Sequence, residues 1–128
     1  MRENQIRAER CLGERNMEVS ATNRYAGVSP RKVRLVLAHL PGHTVEEALN
    51  LLQFMTTPHA RMVAKIVKSA ASNAENNFAA DPDSLYVKRA FANDSRRLKR
   101  YRPRARGRMY QYVHRSSHVT IIVEERER

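Results

Sequence analysis

The sequence predicts an α+β fold of three helices and three strands, from which a cation-rich β-hairpin projects. Three segments carry apolar residues at helical spacing, and each begins with a helix-start signal. Two later segments have the alternating or β-branched-rich pattern of strands. Between these two, arginine occupies every second position from Arg100 to Arg108, a period that fits an extended backbone and excludes a one-sided helix.

A short strand and a helix open the folded part of the chain. The strand covers 19–25, and it is predicted to carry Val19, Ala21 and Tyr25 on one side. The helix has Ser29 as N-cap and Pro30 at its first position, and it ends near Leu40. Its apolar face consists of Val33, Val36, Leu37 and Leu40. The cations outside that face oppose the helix dipole, which favours a phosphate-binding edge slightly over an ordinary solvated one.

Two further helices follow. Thr44 and Glu47 form a capping box for the second helix, which extends to about Phe54. Its apolar stripe consists of Val45, Ala48, Leu49 and Leu52. The third helix begins at Thr57-Pro58, and its stripe consists of Val63, Ile66, Val67, Ala70 and Ala74. Asn76 and Asn77 should end it, because asparagine tolerates the left-handed cap.

The last two strands flank the basic segment. The strand at 85–91 should align Leu85, Val87 and Phe91, and the final strand should align Val119, Ile121 and Val123. If strands at 85–92 and 113–123 pair, the hairpin projects roughly 30 Å beyond the sheet. A solvated tail is the usual interpretation of an arginine run, but the strand that follows it favours a structured arm.

The charge is concentrated near the end of the chain. Of the formal +11 carried by 128 residues, residues 95–128 hold eleven cations and three carboxylates, a net +8. Because an arm with so little to bury cannot offset its own repulsion, it requires a polyanion. Nucleic acid fits better than a membrane surface, because the arm lacks an apolar face to insert.

Signals for other classes of protein are absent from the sequence. The four glycines form no phosphate-binding loop, and no apolar run reaches the ~18 residues of a membrane span. His114 and His118 would lie ~13 Å apart on a strand, too far to share a metal ion. A single cysteine excludes a disulfide framework. We therefore expect no enzyme activity, metal, cofactor, small-molecule substrate or membrane partner.

Several motifs, in order, give the chain a family resemblance. They are Arg24 with Ser29-Pro30-Arg31-Lys32-Val33-Arg34, Ser69-Ala70 with 73–77, Lys99-Arg100 with Arg104-Ala105-Arg106-Gly107-Arg108, and Ser117-His118-Val119-Thr120-Ile121. Together they resemble the bacterial form of the large-subunit ribosomal protein conventionally numbered twenty-two, over about residues 21–123.

The resemblance implies three helices packed on a small antiparallel three-stranded sheet, with a long protruding basic β-hairpin. It implies binding to large-subunit ribosomal RNA, beside neighbouring ribosomal proteins, with a hairpin tip that lines the peptide exit tunnel and meets the nascent peptide. The tip would be formed by Leu98, Lys99, Arg100 and Tyr101. The expected location is a cytoplasmic ribosome, with an organellar ribosome left open.

The residues and the resemblance together define the predicted RNA-binding set. It comprises Arg24, Ser29, Arg31, Lys32, Arg34, Asn73, Asn76, Asn77, Arg96, Arg97, Lys99, Arg100, Arg102, Arg104, Arg106, Arg108, Arg115, Ser117 and His118. Phosphate contacts should dominate over base recognition.

The predicted organisation has three parts and one functional alternative. Residues 1–18 form an N-terminal extension, 19–123 a single domain that includes the hairpin at about 88–115, and 124–128 a charged tail. The alternative is a helix-turn-helix DNA-binding protein with a basic arm. Its recognition helix would be the third, using Arg61, Lys65, Lys68 and Asn73.

Overall fold

The computed structural model describes residues 17–125 of the chain. Its helices are α1 (Pro30–Leu37), α2 (Val45–Phe54) and α3 (Pro58–Phe78). Its strands are β1 (Val19–Ala26), β2 (Leu85–Asp94), β3 (Leu98–Pro103), β4 (Met109–His114) and β5 (Ser117–Glu125). One antiparallel sheet has the order β1-β5-β2, and β3 pairs with β4 in a separate two-stranded ladder. The predicted α+β fold is confirmed.

The core lies between the helices and the three-stranded sheet. α3 packs on β1 and β5, while α1 packs on β2. The predicted apolar stripes of α1 and α3 are buried, as are Val119, Ile121 and Val123 on the central strand. Burying one such aliphatic side chain stabilises the fold by about 1.5–3 kcal/mol. Among the described helices, none is long and apolar enough to cross a bilayer.

A β-bulge in β2 changes which side chains face the core. The pairing with β5 shifts between Val87 and Arg89, so one residue of β2 has no opposite partner. Leu85 and Val87 are buried as predicted, but Phe91 is 39% exposed and Ala92 is buried instead. The predicted alignment of Phe91 with the other two is wrong, because one extra residue reverses the alternation.

A second irregularity lies in β1, where the pairing with β5 shifts between Asn23 and Ala26. Tyr25 lies within it, has φ of 58°, and is 67% exposed. Since Val19 and Ala21 are buried, the prediction that Tyr25 shares their side of the strand is wrong. The left-handed backbone at this position turns its side chain out of the alternation.

The helix ends agree with the sequence except at two C-termini. The capping box is present: Glu47 N–H donates to Thr44 Oγ1 at 3.3 Å, and Thr44 N–H donates to Glu47 at 3.1 Å. α1 ends three residues before Leu40, which is nevertheless buried. α3 continues past Asn76 and Asn77, and the left-handed cap falls on Ala79, with φ of 52°.

A carboxylate in the last strand is buried beside two donors. β5 continues to Glu125, so the predicted charged tail begins too early by two residues. Glu124 is 2% exposed; Tyr86 Oη donates to it at 2.7 Å, and Lys88 Nζ lies 2.9 Å from it. Lys88 is the extra residue of the β2 bulge, and it also pairs with Glu18. The hydrogen bonds from Tyr86 and then Lys88 hold the pKa of the Glu124 carboxyl below its ordinary value.

Replacing this carboxylate (Glu124→Gln) should lower the free energy of unfolding at neutral pH by roughly 1 kcal/mol, because its hydrogen bonds lose their charge assistance. Since the folded pKa lies below the ordinary value of 4.5, the stabilisation is complete above 4.5 and is lost as pH falls through the folded value. Urea unfolding across that range measures both effects.

The matched control is Glu75→Gln, which alters an exposed carboxylate on α3. It should leave both the neutral-pH stability and the acid sensitivity unchanged. Equal behaviour of the two variants would show that the buried carboxylate does not stabilise the fold.

Candidate nucleic-acid interface

The arm consists of β3, β4 and the turn between them, and it connects the end of β2 to the start of β5. β2 pairs with β5 until Asp94 meets Ser117, and the second ladder starts where Leu98 pairs with His114. The expected single hairpin of 85–92 with 113–123 is thus two ladders separated by a short break. Every arm residue is exposed except the half-buried Tyr112.

The turn of the arm is formed by residues 104–108. Arg104 N–H donates to the carbonyl of Arg108 at 2.8 Å, and Arg106 and Gly107 both have positive φ, 57° and 70°. The predicted position of Leu98–Tyr101 at the tip is therefore corrected, because those residues form the start of β3. The reason is the turn chemistry: Pro103 ends the ladder, and Gly107 accepts the left-handed backbone. The contact of Leu98–Tyr101 with the exit tunnel stays a prediction.

The arm has two chemically different faces. Alternate residues share a face, and so do residues directly opposite on the two strands. The pairing therefore places on one face Leu98, Arg100, Arg102, Tyr110, Tyr112 and His114. It places on the other Lys99, Tyr101, Pro103, Met109, Gln111 and Val113. We call the first the cationic–aromatic face and the second the neutral face, which has a single lysine.

Two arginines lie over tyrosine rings on the arm. The guanidinium of Arg102 is 5.3 Å from the centre of the Tyr112 ring, and that of Arg104 is 5.6 Å from Tyr110. Such contacts are worth about 0.5–1 kcal/mol at exposed sites. They orient the planar groups while leaving N–H donors at the guanidinium edge for an anion. The aromatic members of this arrangement were not among the predicted site residues.

The break between the two ladders is held by backbone-directed hydrogen bonds. Ser95 N–H donates to the carbonyl of Ser116 at 3.0 Å, and Ser116 Oγ donates to the carbonyl of Arg96 at 2.7 Å. Arg97 pairs with Asp94 at 3.4 Å, both half-exposed or more. These contacts fix the position from which the arm leaves the sheet.

The end of the sheet beside this break contains three predicted contacts. Tyr25 N–H donates to Nδ1 of His118 at 3.1 Å, and the two rings meet edge to face at 4.8 Å. His118 therefore has a structural role in holding the β1 irregularity. Ser117 is completely buried, so the structure gives its predicted RNA contact no support, and that contact stays a prediction. Arg24, next to Tyr25, is exposed.

The cations of α1 divide into two kinds. Arg34 donates from Nε and Nη2 to the carbonyl of Ala92, at 3.0 and 2.8 Å, and so ties α1 to β2. Arg31 and Lys32 are exposed and have no ion pair within residues 17–125. Ser29 occupies the N-cap, half-buried, and its side chain makes no capping hydrogen bond.

The predicted asparagines lie away from the arm. Asn76 and Asn77 are exposed and Asn73 is half-buried near the C-terminus of α3, which leads to the start of β2. The arm leaves from the opposite end of that strand, ten residues or roughly 30 Å away. The asparagines and the arm therefore lie on two separated surfaces. Of the described cations from Arg96 to Arg115, only Arg97 pairs with a carboxylate.

Comparisons with known proteins identify relatives of this chain. The family described as Ribosomal protein L22p/L17e matches residues 21–124. The large ribosomal subunit protein uL22 of Dehalococcoides mccartyi is 48% identical over 109 residues, covering 85% of this chain and all of that protein. The uL22 proteins of Clostridium novyi and Thermoanaerobacter pseudethanolicus are 47% and 48% identical, covering 86% and 87% of this chain and 99% and 100% of their own lengths.

The two kinds of α1 cation predict opposite mutant behaviour. Arg34→Gln should lower the free energy of unfolding by about 1 kcal/mol, because the Ala92 carbonyl loses a charged, bidentate donor. Arg31→Gln should leave stability unchanged and weaken binding to RNA. Urea unfolding and RNA titration of both variants measure this, and a reversed pattern would contradict the assignment.

The free arm should open far more readily than the sheet. A two-stranded ladder with both faces in water is marginally stable, so amides of β3 and β4 should exchange with deuterium much faster than those of β5. Hydrogen exchange followed by NMR measures the difference, and added RNA should slow exchange in the arm. Equal protection of β4 and β5 without RNA would show that the arm is stable alone.

Proposed function

The chain belongs to the ribosomal protein L22p/L17e family, and from this premise we propose that it is a structural constituent of the large ribosomal subunit. The family is one of ribosomal proteins rather than enzymes. In this role the chain binds large-subunit ribosomal RNA, contacts neighbouring ribosomal proteins and helps the subunit assemble. The bacterial relatives favour the cytoplasmic ribosome as its location.

The observation that carries the RNA-binding role is the cationic–aromatic face of the arm. Its arginines are exposed, and the sequence from 95 to 123 contains no carboxylate to neutralise them. Guanidinium groups suit bidentate contact with phosphate, and the tyrosines beside them offer rings for base stacking. Neutralisation of phosphates at this face supplies the interaction that the arm lacks within its own chain.

The two-faced arm also refines the proposed contact with the exit tunnel. Leu98 and Arg100 belong to one face, while Lys99 and Tyr101 belong to the other. A single face of a two-stranded arm can point toward a lumen when the opposite face lies on RNA. We therefore assign Lys99 and Tyr101, on the neutral face, to the side that meets the nascent peptide.

The helix-turn-helix alternative is not kept, because family membership places the chain among ribosomal proteins. The cations that it required on α3 are exposed, and they provide a control for the arm. Arg61, Lys65 and Lys68 on α3 carry the same formal charge as three arginines of the arm. Charge alone therefore does not distinguish the two groups.

A triple variant of the arm (Arg100→Gln, Arg102→Gln, Arg104→Gln) should weaken binding to large-subunit ribosomal RNA. It should also lower the slope of log affinity against log salt by about 2–3, because each lost phosphate contact contributes roughly 0.7–0.9. Titration with labelled RNA at several salt concentrations measures both quantities. Gradient sedimentation of extracts should show the wild-type chain with the large subunit after a high-salt wash.

The matched control removes three cations from α3 (Arg61→Gln, Lys65→Gln, Lys68→Gln). It should change the slope much less than the arm variant. A larger effect of the α3 variant would refute the arm as the principal contact. A wild-type chain that remains at the top of the gradient would refute the ribosomal function itself.

A further inference from the structure

We propose that a hollow at the foot of the arm binds one unstacked nucleotide of single-stranded RNA, its base on the Tyr25 ring and its phosphate between Arg96 and Arg115. The inference rests on the proposed RNA-binding function and deepens it, since it names a ligand and a place. It adds a base contact where the sequence analysis expected phosphate contacts to dominate.

The hollow has a volume of about 310 Å³, at the lower end of the range of roughly 300–1,000 Å³ for small-ligand pockets. Tyr25, which lies within the β1 irregularity, lines the hollow together with Gly27, which lies just after it. The first pair of the arm, Leu98 and His114, also lines the hollow. This pair belongs to the cationic–aromatic face, so the hollow lies at the end of that face nearest the sheet.

The Tyr25 ring is held in place before any ligand arrives. Its backbone has φ of 58°, a conformation that non-glycine residues rarely adopt, and the N–H of Tyr25 is bound by His118. Strained backbone of this kind clusters at binding sites, where surrounding contacts maintain it. The edge-to-face contact with His118 involves at most one face of the ring. Because Tyr25 is 67% exposed, the other face is available to a base.

The charge of the hollow suits the phosphate of the same nucleotide. Arg96 and Arg115 line it, and neither pairs with a carboxylate among residues 17–125. Asp94, the acidic residue near the break, is engaged by Arg97 instead. The carbonyl of Arg96 is bound by Ser116 Oγ, which fixes the backbone at the rim. A ring and two free guanidinium groups together match a base and its phosphate.

A single-stranded nucleotide fits this site better than a duplex. Bases in a duplex are stacked on each other and present only their edges, whereas a base in a loop or bulge can be splayed onto an aromatic ring. Stacking of this kind tolerates any base, because each has a π face. The site therefore selects for unpaired structure rather than for sequence.

The test uses the full chain and two probes, a short single-stranded RNA carrying one 2-aminopurine and a short RNA duplex. Wild-type protein should quench the 2-aminopurine fluorescence on binding. Tyr25→Leu should reduce the quenching and lower single-strand affinity about tenfold, with duplex affinity unchanged. Tyr25→Phe keeps the ring and should behave as wild type. Phe54→Leu removes an exposed aromatic ring at the C-terminal end of α2. It should also leave the quenching and both affinities unchanged.

A second variant keeps the test independent of the strained residue. Gly27 lines the hollow, and a Cβ added there meets no atom within 4 Å, so Gly27→Leu should fold normally and narrow the hollow. It should lower single-strand affinity about as much as Tyr25→Leu, and a thermal melt of each variant checks folding. Wild-type single-strand affinity in Gly27→Leu, or an equal loss for duplex, would overturn the nucleotide site. Failure of the wild-type chain to bind either probe or ribosomal RNA would instead overturn the proposed function.

Discussion

Hydrogen bonding along both edges of β5 is the constraint on which the rest of the structure depends. β1 and β2 do not pair with each other, and each is held in the sheet only through β5. Val119, Ile121 and Val123 on this strand are completely buried under α3 and its neighbours. The same segment continues backward into β4, so one stretch of chain anchors the arm and completes the core.

The two parts of the molecule that β5 joins, the globular part and the arm, differ in charge. The globular part buries one carboxylate, Glu124, beside Tyr86 and Lys88. The other carboxylates of the described chain are exposed, except the half-buried Glu125. The arm has cations, tyrosines and no carboxylate. The core therefore supplies the stability, whereas the arm depends for its order on the proposed RNA partner. This division explains how a small domain can carry a projecting segment with almost no buried surface.

Features set by local sequence were predictable. The stripe of α3 and the Thr44–Glu47 capping box depend on spacings of three and four residues, and both are present. Tyr25 and Phe91 were misplaced because a β-bulge is a property of the pairing between strands, which one strand does not reveal. Burial of Ser117 depends on the two strands beside it in the same way.

The candidate site was predictable in part for the same reason. The cations of the arm follow from composition, but the position of the turn at 104–108 required the register of β3 with β4. The structural role of Arg34 required the position of the Ala92 carbonyl, which lies 58 residues away in sequence. One signal in the sequence could have identified Tyr25 as a candidate. It is an aromatic residue next to Arg24, in a chain with only 6% aromatic residues.

The alternation of the arm restricts how its length can change during evolution. Adding one residue to each strand between the foot and the turn would exchange the cationic–aromatic and neutral faces beyond the insertion, because side chains alternate with a period of two. Adding two residues to each strand would lengthen the arm by about 7 Å and leave both faces where they are. Insertions and deletions in homologous arms should therefore occur in even numbers on each strand, with the turn free to vary by any number.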